Sequence, residues 1–94
     1  MQQTIKEVGA ALEKRGFQRR NQGQWGRGGL TVGFRPQDDS FMGHWTDGQH
    51  QEYVFFDFPS DDQEKCHCEF ALLLQWVGER QLFPAVAQQL AVAA

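Results

Sequence analysis

Between residues 17 and 35 the chain is divided into short extended runs by glycine-rich turns, and this pattern constrains the fold more than any other feature. "FQRR" (17–20) and "QWGR" (24–27) are typical of short strands, and the turn "NQG" separates them. The two glycines at 28–29 can supply the positive φ angles of a two-residue hairpin. "LTVGFR" (30–35) then alternates apolar with other residues and ends at Pro36. We therefore predict an antiparallel meander.

The next segment adds one or two strands. "FMGHW" (41–45) is either part of a long irregular loop or a strand that returns through the turn "TDG". We favour the strand, because loops of this length are uncommon inside compact domains. Residues 53–58, "YVFFDF", predict the following strand, with aromatic side chains on both of its faces. Two interpretations stay open: an inner strand covered on both faces, or a strand whose second face is an exposed aromatic patch for a partner.

The sequence predicts helices before the first of these strands and after the last one. "TIKE" (4–7) fits a capping box, and apolar residues at helical spacing predict a helix over 4–15 that stops at Gly16. Ser60 is the predicted cap of a second helix, which carries acidic residues in its first turn and ends at Gly78.

A third helix is predicted to begin near Pro84. It would cover Leu72 and Trp76, which lie away from the centre of the apolar stripe of the second helix, and the tail at 91–94 should fray. We predict one α+β domain over residues 1–94, with an N-terminal helix, an antiparallel sheet of four to five short strands, and two C-terminal helices packed on one face.

Several function classes have little support in the sequence. No apolar run approaches the ~18 residues that cross a bilayer, so we expect a cytoplasmic protein without membrane contact. Cys66 and Cys68 flank His67, but residues two apart on a helix point about 200° away from each other. We therefore expect a buried Cys66 and no metal site. His44 and His50 could form a general-base pair, yet no nucleophile motif accompanies them, and we predict no enzyme activity, catalytic residue or cofactor.

Charge is distributed unevenly along the chain. Residues 1–36 hold seven Lys and Arg against two acids, a net charge of +5, whereas residues 37–94 hold two against ten, a net charge of −8. Either the two halves neutralise each other in the fold or they expose patches of opposite sign. In the second case, arginines beside an aromatic ring would suit RNA or DNA. The candidate nucleic-acid-binding residues are Arg19, Arg20, Trp25, Arg27 and Arg35.

The main hypothesis is a small non-catalytic protein-binding module, with the nucleic-acid-binding module as the alternative. We expect an accessory or inhibitory role. Phages and plasmids encode small binders of this kind, which block a host machine such as a nuclease-based defence complex. A homodimer would use the same surfaces. Large rings supply the apolar contact, and acidic residues steer a basic partner. The predicted partner-binding residues are Phe41, Trp45, Tyr53, Phe55, Asp38, Asp39 and Asp47.

Overall fold

A computed structural model of the chain describes residues 2–21 and 23–82, which form two helices and five strands. In chain order the elements are α1 (Gln2–Lys14), β1 (Gln18–Asn21), β2 (Gln24–Arg27), β3 (Leu30–Arg35), β4 (Ser40–Thr46), β5 (Gln51–Phe56) and α2 (Gln63–Leu82). The strand predictions are confirmed to within two residues at each end. None of the described helices is long and apolar enough to cross a membrane.

The five strands form one antiparallel sheet in the order β1-β2-β3-β4-β5. Residues paired across strands share a face, so the register separates two faces. Trp25 pairs with Val32, Val32 with Gly43, and Gly43 with Val54; these residues lie on what we call the core face. The residues between them in sequence lie on the opposite face, which we call the outer face; His44 and its partner Tyr53 are two of these residues.

Both described helices pack on the core face, and two glycines allow them to approach. Gly9 of α1 lies so close to the Trp25 ring that a Cβ at this position would overlap the ring. Elsewhere on the same face, a Cβ on Gly43 would lie 2.5 Å from Cζ3 of Trp76 in α2. The two tryptophans are buried in this way between helix and sheet.

The ends of α1 are partly as predicted. Gly16 has a φ of +88°, and the Phe17 N–H donates to the Leu12 carbonyl at 3.1 Å, which is the expected left-handed termination. The predicted capping box is wrong. The helix already includes Gln2, so Thr4 lies inside it, and the Glu7 carboxylate accepts from the side chain of Gln3 instead.

The boundaries of α2 also differ from the prediction. Oδ1 of Asp62, not the hydroxyl of Ser60, accepts the N–H groups of the first turn, at 3.0 and 3.2 Å. Gly78 does not end the helix, because side chains beyond it are held by other elements. Arg80 binds Glu52 of β5, and the Gln81 amide donates to the Arg15 carbonyl at 3.1 Å.

Two further predictions concern the third helix and the cysteines. The third helix was placed near Pro84, which lies outside the described residues. Trp76, which that helix was expected to cover, is instead buried against the sheet, whereas Leu72 is half exposed. Cys66 is partly buried, with its thiol donating to the Ser60 carbonyl, and Cys68 is exposed. Both thiols are free, and no group of three or more metal-ligating side chains occurs among the described residues.

Candidate interaction face

The outer face of the sheet carries exposed aromatic rings, and neither described helix packs on it. Tyr53 and Phe55 are each 56% exposed. They lie on β5 beside His44 and Met42 of β4, which are their cross-strand partners. Together with Arg20 and Arg35, these residues form what we call the ring face. Of the two interpretations of β5, the inner strand covered on both faces is wrong for the described part of the chain, because β5 is an edge strand.

The rings of this face are held by stacking and by a cation. The His44 imidazole stacks on the Tyr53 ring at 4.6 Å between centroids, with 22° between the planes. The Arg35 guanidinium lies 5.2 Å from the centre of the Phe55 ring, within the range of a cation–π interaction. These contacts fix the ring orientations before any partner arrives, so less side-chain entropy would be lost on binding.

The ring face carries cations and no carboxylate. The five strands contain one acidic residue, Glu52, and its pairing with Trp45 places it on the core face. The Arg20 guanidinium lies over Gly26, so a Cβ on Gly26 would overlap it. The same guanidinium donates to the Thr31 hydroxyl at 3.5 Å. The strands therefore contribute Arg20 and Arg35 and no acid to this face, and Arg35 is paired with Asp38 of the following turn.

The two edges of the sheet differ sharply. β1 has four residues, two of them arginines, and an irregularity in its pairing with β2 between Arg19 and Asn21. Short length, charge and bulges are devices that protect an edge strand from adding another strand. β5 has six residues and lacks proline, basic residues and bulges in its pairing with β4. No other described strand pairs with its outer edge, which we call the free edge and which is the one suited to strand addition.

A groove of about 380 Å³ runs between the free edge of β5 and α2. Val54 and Phe55 line its sheet side, and Leu72 and Trp76 line its helix side. Leu72 is 50% exposed. Among the described residues the exposed large hydrophobic side chains are Tyr53, Phe55 and Leu72. All three flank this single strand edge.

Glu52 joins β5 to α2 through Trp76, one of the residues that line this groove. Its carboxylate accepts the indole N–H of Trp76 at 2.7 Å and two N–H groups of the Arg80 guanidinium, with the Nε contact at 2.9 Å. Partial burial acts to raise the pKa of Glu52, but the hydrogen bonds from Trp76 and Arg80 and the charge of Arg80 outweigh it, so this pKa is lowered. Arg80 in turn lies 5.1 Å from the centre of the Trp45 ring.

Two of the four predicted contact rings are not on the ring face. Phe41 is fully buried and stacks on Phe58 at 4.8 Å, so its assignment to partner contact is wrong. Trp45 is partly buried on the core face beside Arg80. The reason is strand alternation, since residues 41, 43 and 45 of β4 point to the core face and leave Met42 and His44 outside.

The three predicted steering acids do not form a single patch. Asp38 and Asp39 lie in the turn before β4, and Asp47 lies after it, at the opposite end of the strand. Asp38 accepts from the Ser40 hydroxyl at 2.9 Å and pairs with Arg35 at 3.6 Å. Asp47 accepts the backbone N–H groups of residues 49 and 50. Asp38 and Asp47 therefore shape turns, and Asp39 is exposed with a φ of +47°.

The predicted nucleic-acid-binding residues are also separated by the fold. Trp25 is 5% exposed beneath α1 and cannot stack on a base, which corrects that part of the prediction. Arg27 donates to the Arg15 carbonyl, and Arg19 pairs across from Trp25 on the core face. Only Arg20 and Arg35 lie on the ring face.

Within residues 2–21 and 23–82 one ion pair joins the basic part of the chain (1–36) to the acidic part (37–94), so direct pairing between the two parts has little support. Of the basic residues at 1–36, Arg35 alone makes an ion pair in this part of the chain, and its partner Asp38 is three residues away.

The site also includes residues that sequence reasoning missed. Met42 and His44 alternate with the selected rings on β4, and the stacking on Tyr53 could have been anticipated from that alternation. Leu72, which the sequence places under a third helix, is half exposed and belongs to the site.

No family model, curated protein or solved structure matches this chain. The function is therefore argued from the geometry of the site.

Proposed function

We propose that this chain is a small protein-binding module that captures its partner along the free edge of β5. The observation that supports this proposal is the concentration of Tyr53, Phe55 and Leu72, the exposed large hydrophobic side chains of the described residues, along one unprotected strand edge. A partner that covers them would gain apolar burial from residue types that commonly anchor interfaces.

Strand addition explains why the rings and the groove lie on either side of β5. A segment paired to an edge strand receives backbone hydrogen bonds, and its side chains alternate between the two faces of the enlarged sheet. One set of side chains would pack on Tyr53 and Phe55. The other set would enter the groove beside Val54 and Leu72.

Charge suggests which partner residues fit each side. Arg35 beside Phe55 favours acidic side chains on the outer face, which replaces the expectation of a purely basic partner. Glu69 and Glu79 line the groove and favour basic side chains there. A partner strand that alternates acidic or aromatic residues with basic or aliphatic residues therefore fits both sides. By covering an edge or surface that the partner needs for other contacts, such a module would act as an accessory or inhibitory protein.

The experiment is affinity capture from the source organism followed by mass spectrometry, using matched variants. Tyr53→Ala with Phe55→Ala should lose proteins that the unchanged chain retains, while its melting temperature changes little because both rings are more than half exposed. Glu7→Ala with Lys14→Ala, on the exposed side of α1, is the control and should retain them. Retention by the ring variant would contradict the proposal. Sedimentation of the purified chain tests separately whether the partner is a second copy.

Single-stranded nucleic acid is the second candidate, favoured by one observation. Arg20, Arg35 and two exposed rings share one sheet surface to which the strands contribute no acid, and cations beside stacking platforms are typical of single-strand recognition. Binding of a random oligonucleotide should then weaken steeply with salt and be lost in Arg20→Ala with Arg35→Ala. Arg27→Ala, whose guanidinium is bound to the Arg15 carbonyl, is the control. An oligonucleotide that does not bind at low salt would remove this candidate.

A further inference from the structure

A second concave site lies between α1 and the core face, at the opposite side of the molecule from the β5 edge. Its volume is about 650 Å³, within the roughly 300–1,000 Å³ typical of small-molecule sites. Ile5, Trp25 and Phe34 supply apolar and aromatic walls, and Lys6, Glu13 and Arg19 supply charged groups. The site is independent of the ring face and of the function proposed for it.

The indole of Trp25 has an unsatisfied donor. This side chain is 5% exposed, and its Nε1–H is shielded from water without an acceptor among the described residues. By contrast, the equally buried Trp76 donates its indole N–H to Glu52. A buried N–H group without an acceptor is unfavourable and uncommon in folded proteins. A molecule that brings an acceptor to Trp25 would remove this cost.

The cations of the pocket are also unused. Neither Lys6 nor Arg19 makes an ion pair or a side-chain hydrogen bond within residues 2–21 and 23–82. Glu13 offsets one of the two positive charges, so the pocket keeps a net positive charge. An anionic group on the ligand would therefore be attracted to this pocket, which Trp25 also lines.

We propose that this pocket binds a small planar molecule that carries a carboxylate. The partly buried side chains of Ile5 and Phe34 suit an aromatic or conjugated body, which would bury apolar area against them. The carboxylate accepts hydrogen bonds from the indole N–H or from the cations, and its charge is balanced by Lys6 and Arg19. Neutral molecules of the same shape satisfy only the first requirement and bind more weakly.

The experiment uses two aromatic compounds of the same shape, 1-naphthoate and neutral 1-naphthamide, titrated into the full ¹⁵N-labelled chain. Naphthoate should bind at least tenfold more tightly. It should move the Trp25 indole N–H resonance downfield, because that proton gains an acceptor. The Trp76 indole resonance is the internal control and should stay in place, since its acceptor is already Glu52. Trp25→Phe identifies the resonance.

Variants separate this pocket from other binding surfaces. Lys6→Gln with Arg19→Gln should abolish the tenfold preference for the anion. Ala10→Trp, which fills the pocket from an exposed helix position, should block both compounds, and Phe55→Ala should change neither affinity. The proposal is overturned if the two compounds bind equally, if binding depends on Phe55, or if the folded chain binds neither at millimolar concentration. None of these results bears on capture of a protein at β5.

Discussion

Glu52 should contribute more to stability than the other glutamates of the described chain, because it accepts hydrogen bonds from both Trp76 and Arg80. A hydrogen bond to a charged group contributes about 1.5–3 kcal/mol, and the lower end applies here because the Glu52 side chain is 34% exposed. Glu52→Ala also leaves the buried Trp76 N–H without its acceptor. We expect a loss of about 3 kcal/mol in the free energy of unfolding. Glu52→Gln keeps an acceptor for Trp76 and should lose about 1 kcal/mol.

Thermal unfolding followed by circular dichroism measures these losses. For a domain of this size about 1 kcal/mol corresponds to roughly 4–8 °C, so Glu52→Ala should lower the melting temperature by roughly 15 °C and Glu52→Gln by about 5 °C. Glu79→Gln is the control, because within the described part of the chain that exposed glutamate accepts only from Gln75, four residues away on the same helix. Equal melting temperatures for Glu52→Ala and Glu79→Gln would refute the assignment.

The pH dependence gives an independent check on the same carboxylate. The pKa of Glu52 is lower in the folded chain than its ordinary value of 4.5, so the folded state favours the charged form. The stability gained this way is fully present above about pH 4.5 and is lost as the pH falls through the lower, folded pKa. The difference in stability between the unchanged chain and Glu52→Gln should be constant from pH 8 to 5 and shrink below pH 4.5. A difference that grows with acid would contradict this sign.

Two further stability predictions concern the contact of α2 with the sheet and the first turn of α2. Gly43→Ala forces a methyl group to 2.5 Å from the Trp76 ring and should lower the free energy of unfolding in urea by about 2 kcal/mol. Gly33→Ala is the control, because its nearest neighbour would be 3.8 Å away, and it should change this free energy by less than about 0.5 kcal/mol. Similar losses in the two variants would mean that Trp76 does not occupy this space. Asp62→Ala should lose about 1 kcal/mol of thermal stability through the helix cap, with the exposed Asp61→Ala as the unaffected control, and an equal loss in both would point to general charge effects.

The strands could be predicted from the sequence because their signals are local. Turn residues such as the glycines at 28–29 and the alternation in "LTVGFR" fix both the length and the faces of a strand without information from elsewhere. The same alternation could also have placed Phe41 and Trp45 on the face opposite His44. Choosing rings by proximity in the sequence, without regard to that alternation, produced the wrong assignment of Phe41.

The helix ends and the pocket depend on distant contacts and could not be predicted in this way. Whether α2 continues past Gly78 is decided by Arg80 reaching Glu52, 28 residues earlier in the chain. Likewise, Trp25 was an apparent stacking platform in the sequence, and only the packing of Gly9 against its ring shows that it is buried. The exposure of β5 depends on its position at the sheet edge, which strand propensity does not specify.

Amide hydrogen exchange of the chain, measured alone and with its captured partner, tests most directly whether β5 is the binding edge. The N–H groups of residues 51–56 that point away from β4 should exchange fast in the free chain and at least tenfold more slowly in the complex. Those of β1, at the protected edge, should keep their rates. Slower exchange in β1, with unchanged rates throughout β5, would contradict the account.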